Sequence, residues 1–75
     1  MEIKPDRIEI ASDANQHDGI GIELYRNNEM IVEIFRDDTE RTRTITVYKE
    51  NIPLELMEES INTFKKEIPW DFIKL

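Results

Sequence analysis

Three groups of side chains have the types and spacing that could do chemistry. His17, the only histidine, sits in the run Ser12 to Asp18, where Asp13, Asn15 and Asp18 add oxygen donors. A divalent cation could bind such a set. Against the pattern of a calcium-binding loop, Asp13 and Asn15 stand at ligand positions. Asp18, however, occupies the place of the turning glycine, and the closing position is Leu24 instead of glutamate. The run therefore reads as a solvated polar loop, with no metal ligand expected. Glu23 and Glu33 form the second group, because a hairpin would set them face to face. Paired carboxylates do acid–base work when a pocket separates their proton affinities. On a flat, wet sheet with Arg43 nearby, neutralisation by the basic side chain is the expected outcome. Ser12 and Ser60 form the third group, and neither lies in a nucleophile-elbow context or at a defined spacing from the histidine. No catalytic residue and no cofactor is expected. A chain this short also has little room for a deep pocket.

Charge restricts the partners. Seventeen acidic residues against ten basic ones give a net charge of -7. Nucleic-acid binding requires cations to neutralise phosphates, and anionic membranes would repel this chain in the same way. The balance suits solubility, or capture of a basic protein. At 75 residues the chain reads as a single domain, residues 1–75, without cysteine. Domains of this size bury only about 60% of the surface that the unfolded chain exposes, so stability is thin. No run approaches the roughly 18 apolar residues of a membrane span, and the Met1 to Asp6 start lacks the character of a secretory signal. The chain reads as cytoplasmic.

The elements that must carry these residues follow from periodicity. Residues Arg7 to Ala11 alternate as a short strand, with Ile8 and Ile10 on one side. Ile20, Ile22 and Leu24 then share one face and Gly21, Glu23 and Tyr25 the other. Beyond Asn27-Asn28, Met30, Val32 and Ile34 alternate with Ile31, Glu33 and Phe35. A two-residue loop would oppose Ile22 with Glu33. A three-residue loop, Asn27 to Glu29, opposes Leu24 with Val32 and Ile22 with Ile34, and all six aliphatics share one face. Because a slip of one residue inverts every side chain, burial selects the second register. Arg43 to Lys49 adds Ile45 and Val47 to that face, after a tight connection near Asp38 to Arg41. Pro53 opens a helix to Ile68, with Leu54, Met57, Ile61, Phe64 and Ile68 as its apolar stripe. The predicted fold is α+β: an antiparallel β-meander of three to four strands with one C-terminal helix packed on one face.

The reverse sheet face is then the candidate partner-binding surface, formed by Glu23, Tyr25, Ile31, Glu33, Phe35 and Tyr48 around an apolar centre. Asp37 and Asp38 open an acidic hairpin tip, Asp37 to Glu40, that would extend the negative field toward a basic partner. A competing reading has the apolar tail, Trp70 to Leu75, fold over the same face and cover it.

The run Asp18 to Tyr25, the segment Val32 to Asp38 and the segment Ile52 to Leu56 resemble small acidic bacterial domains of uncharacterised function, some of toxin-immunity type. This resemblance covers residues 18 to 68 and implies no catalytic residues. It implies a non-catalytic protein-binding module, an immunity-type inhibitor of a basic partner. The alternative is a structural domain that pairs with itself as a homodimer.

Overall fold

A computed structural model of the chain describes residues 6–13 and 18–74, with the backbone alone at Asp13. Four antiparallel strands, β1 (Arg7–Asp13), β2 (Gly19–Arg26), β3 (Glu29–Asp37) and β4 (Thr42–Val47), lie side by side in sequence order, and one helix, α1 (Leu54–Glu67), follows. This is the α+β meander expected from the alternation. Leu24 opposes Val32, Ile22 opposes Ile34, Ile34 opposes Ile45 and Val32 opposes Val47.

The register is reached by a different route from the one anticipated. The loop has two residues, Asn27 and Asn28, both with positive φ (51° and 65°), and Arg26 pairs directly with Glu29. Twin left-handed residues match the twist of the flanking strands, and asparagine tolerates that conformation better than most residues. The extra residue is taken up by a β-bulge. Tyr25 pairs with Met30 and Leu24 with Val32, which leaves Ile31 unpaired on the β2 side. The bulge exchanges two expected positions. Ile31 turns into the core, where it is 2% exposed, and Met30 takes the place opposite Tyr25.

The core consists of Ile22 and Leu24 from β2, Ile31, Val32 and Ile34 from β3, and Leu56, Phe64 and Ile68 from the helix segment; Ile8, Ile20, Ile52, Met57 and Ile61 pack around it. The helix is rotated relative to the expected stripe. Leu56, Ser60 and Phe64 face the sheet at successive four-residue steps, whereas Leu54 is 70% exposed. Ser60 permits this rotation, because its small side chain is fully buried and its hydroxyl donates to the Leu56 carbonyl at 2.7 Å, leaving no polar group unpaired. Glu55 in the first turn and Lys65 and Lys66 in the last suit the helix dipole. The chain leaves the helix at Ile68, whose N–H donates to the Phe64 carbonyl.

The helix covers less of the sheet than expected. Ile45 and Val47 on β4 are 46% and 48% exposed, and Ile10 on β1 is 56% exposed. The central strands carry the buried residues and the margins do not. Phe64 stands at the centre of this contact, 3% exposed. Phe64→Ala should cost about 3–5 kcal/mol, close to the whole stability of so small a domain. Urea unfolding checks this: an unchanged midpoint would remove Phe64 from the core.

Candidate functional site

The reverse sheet face begins with a backbone accident that places three carboxylates in line. Glu9 on β1 pairs with Glu23 on β2, and Glu23 pairs with Glu33 on β3. Directly paired residues share a face, so the carboxylates form a row across three adjacent strands, with Thr46 of β4 completing it. Like charges directly opposite each other are destabilising. Two tyrosines offset part of this. The Tyr25 hydroxyl donates to Glu23 Oε1 at 3.0 Å, and the Tyr48 hydroxyl donates to Glu33 Oε1 at 3.4 Å. The hydrogen bond to Glu23, with desolvation and the charges of Glu23 and Glu9, raises the Tyr25 hydroxyl above its ordinary pKa. Desolvation and the charges and hydrogen bond of the glutamates raise Tyr48 likewise. Both phenols therefore stay protonated donors well above neutral pH.

Arg7 is the cation of this face. Its guanidinium lies 4.0 Å from the Tyr25 ring centroid and its Nε is 3.7 Å from Glu9 Oε2. Arg43, expected to neutralise Glu23 and Glu33, is on the other face. It pairs with Arg36 rather than with Phe35, and it stacks on Trp70 at 3.8 Å. On the far side of the row, Phe35 pairs with Gly21, and its ring extends toward Gly19, the next β2 position on the same face. A Cβ on Gly19 would sit 2.6 Å from two ring carbons of Phe35, so that ring occupies the space glycine leaves free. Phe35 is half-buried although neither the helix nor the described part of the tail covers the face.

Of the eight residues expected to contact a partner, five are accessible on this face: Glu23, Tyr25, Glu33, Phe35 and Tyr48. Three offer no such surface, although Asp37, opposite Gly19 and Thr42, ends the same face. Ile31 is in the core, carried there by the bulge. Asp37 and Asp38 are buried rather than displayed at an acidic tip. Asp37 Oδ1 accepts the Glu40 N–H at 2.9 Å and shapes the β3–β4 turn. Asp38 is the counter-ion of Arg36, which is 2% exposed. Arg36 Nη2 donates to Asp38 Oδ2 at 3.2 Å, and its Nε lies 3.0 Å from Oδ1, too poorly aligned to donate but close enough to attract. Arg36 Nη1 donates to the Pro69 carbonyl at 2.6 Å, and the Ile73 N–H donates to Asp38 Oδ1 at 3.0 Å. These bonds fix the tail on the helix side of the sheet. Trp70 and Phe72 flank Arg43 there, and Phe72 also lies beneath Arg41. The tail therefore does not cover the reverse face.

Glu9 is not among the expected contact residues, although extending the hairpin register to the first strand sets Ile8 opposite Leu24 and Glu9 opposite Glu23. Asn15 and His17 of the polar loop lie outside the described residues, as does the Asp13 side chain. Among the described residues no group of three or more histidine, cysteine or carboxylate side chains could hold a metal ion, and no helix is long and apolar enough to cross a membrane. No protein-family model matches the chain, and neither a curated protein nor a solved structure matches it.

Two measurements follow from this geometry. Replacing Glu23 by Gln keeps an acceptor for Tyr25 and removes one charge from the row, so the variant should be more stable by roughly 0.2–1 kcal/mol. A lower melting temperature would show that the row is not repulsive. Burial opposes the charged form of Asp38. The Ile73 N–H and the Arg36 guanidinium outweigh it and hold the carboxyl below its ordinary 3.8. A depressed folded pKa contributes stability that is complete above 3.8 and is lost as pH falls through the lower folded value. Acid titration of the wild type should show this loss, and Asp38→Asn should lack that component. Identical acid limbs would refute the linkage.

Proposed function

We propose that this chain is a cytoplasmic, non-catalytic protein-binding module whose reverse sheet face receives a basic partner, in the manner of an immunity-type inhibitor. The observation that carries the reading is the row Glu9, Glu23 and Glu33, flanked by Tyr25 and Tyr48 and left open by both helix and tail. Natural sheets avoid setting like charges opposite one another unless something else requires it. A partner's arginines or lysines would relieve the repulsion on binding, so the complex gains what the free protein lacks. The tyrosine rings add faces on which a guanidinium stacks, as Arg7 already does on Tyr25. Aromatic anchors beside charge are common at recognition surfaces. The net charge of -7 would speed encounter with a basic surface.

The same row argues against the reverse face as a homodimer interface. Two copies meeting there would set one row of carboxylates against another, with Arg7 as the main compensating cation.

An arginine-rich peptide of unstructured sequence is a direct probe. At low salt it should shift the amide and side-chain resonances of Glu23, Glu33, Tyr25 and Tyr48 in a saturable way. The double variant Glu23→Gln, Glu33→Gln should bind about tenfold or more weakly while remaining folded. Shifts centred elsewhere, or equal binding by the variant, would refute the reading.

A further inference from the structure

We propose that the outer edge of β4, with the groove between β4 and α1, binds an extended peptide segment that carries aliphatic side chains and a carboxylate on one side. This surface is on the opposite side of the sheet from the row of glutamates and does not depend on the reading of that face.

Among the described residues β4 is an edge strand, paired only with β3. The Tyr48 N–H donates to the Ile31 carbonyl, and antiparallel hydrogen bonding alternates along a strand. Thr46, Thr44 and Thr42 therefore direct their backbone groups toward β3, opposite Glu33, Phe35 and Asp37. Arg43, Ile45 and Val47 direct theirs outward. Natural edges are usually blunted by proline, bulges or inward charge. β4 has no proline, its pairing with β3 runs without a register shift, and its one charge, Arg43, stands at the end away from Ile45 and Val47. It is the strand that carries no carboxylate, in a chain with seventeen. An incoming strand would find three consecutive outward positions available.

The side chains at those positions explain what the strand should carry. Ile45 and Val47 are about half exposed on the helix side. Next to them a groove of about 150 Å³ opens between β4 and α1, with Ile34, Ile61, Phe64 and Trp70 in its lining. Aliphatic side chains on the added strand would fill it. Arg43 and Lys65 form its rim. Arg43 donates through Nε and Nη2 to the Trp70 carbonyl, and Lys65 stands 5.9 Å from the Trp70 ring. Neither has a carboxylate within ion-pair distance among the described residues. A strand added antiparallel to β4 would set its first two inward side chains beside Val47 and Ile45 and its third beside Arg43. Two aliphatics followed by a carboxylate satisfy all three. A second copy of β4 is a poorer occupant, because it offers no carboxylate to Arg43 or Lys65. Strand addition of this kind gains affinity from main-chain hydrogen bonds and selectivity from alternate side chains.

The test uses the whole chain and a capped peptide, Val-Thr-Ile-Thr-Glu-Thr. Binding should shift the amides of Arg43, Ile45 and Val47 saturably and slow their hydrogen exchange at least about tenfold. A peptide with lysine in place of glutamate should bind about tenfold more weakly. Ile45→Pro removes one outward N–H, which edge strands tolerate, and should abolish binding. If that variant unfolds, the exposed substitution Lys65→Glu serves instead, with an expected loss of about tenfold. No saturation at millimolar peptide would overturn the proposal. So would equal affinity for the lysine peptide, or shifts confined to Tyr25 and Tyr48. A protein that is already dimeric, with these three amides protected before peptide is added, would assign the edge to a second copy and overturn it too.

Discussion

One helix packs against a four-stranded sheet through its two central strands, and its width decides which side chains meet water. A helix with its side chains is about 10–12 Å across, and strands are spaced about 4.8 Å apart. A single helix therefore shields little more than two strands. Here those are the central pair, β2 and β3, which supply all of the fully buried sheet residues. The outer strands keep aliphatic residues on the same face without full cover. The exposed positions of Ile10, Ile45 and Val47 follow from geometry, not from poor patterning. Among the described residues no second helix is available for the other face. What the described residues present is therefore one sheet face and two margins, and binding is proposed on that face and on the β4 margin.

Arg36 solves a problem that the helix leaves behind. The inward alternation of β3 runs Val32, Ile34, Arg36, so a guanidinium enters the layer where the helix ends. A buried charge without partners is costly. Asp38, two residues on, and the Pro69 carbonyl, at the start of the tail, together neutralise and solvate it. The tail is thus fixed by polar groups, and its aromatic residues then pack on Arg43 and Arg41 instead of on the reverse face.

The sheet register was legible because its alternation is strict and only one pairing buries every aliphatic. The bulge was not legible, since a three-residue loop and a two-residue loop with one bulged residue count the same from Leu24 to Val32. Only the conformation of Asn27 and Asn28 separates them, and with it the face on which Ile31 falls. The helix rotation was hidden because Ser60 counts as polar by composition, although its hydroxyl is satisfied within its own helix. The candidate site was partly legible. Glu23 and Glu33 were placed correctly by the hairpin, and Glu9 needed the first strand's register as well. Asp37 and Asp38 were misread because a run of acids in a turn is ordinarily solvated, and the cation that draws Asp38 inward is two residues upstream on a strand.

The bonds of Arg36 to the tail also bear on the order in which the fold is completed during synthesis. Every strand pairs with its neighbour in sequence, so the meander needs only short loops to close and can form as the chain leaves the ribosome. The Arg36 contact with Pro69 and the Asp38 contact with Ile73 span 33 and 35 residues. Until residue 73 has emerged, the guanidinium must stay hydrated and the adjoining end of the core must stay open to water. The nascent sheet is therefore a state with an unsealed end, and the segment from Pro69 to Ile73, not the helix alone, completes the transition to a closed structure.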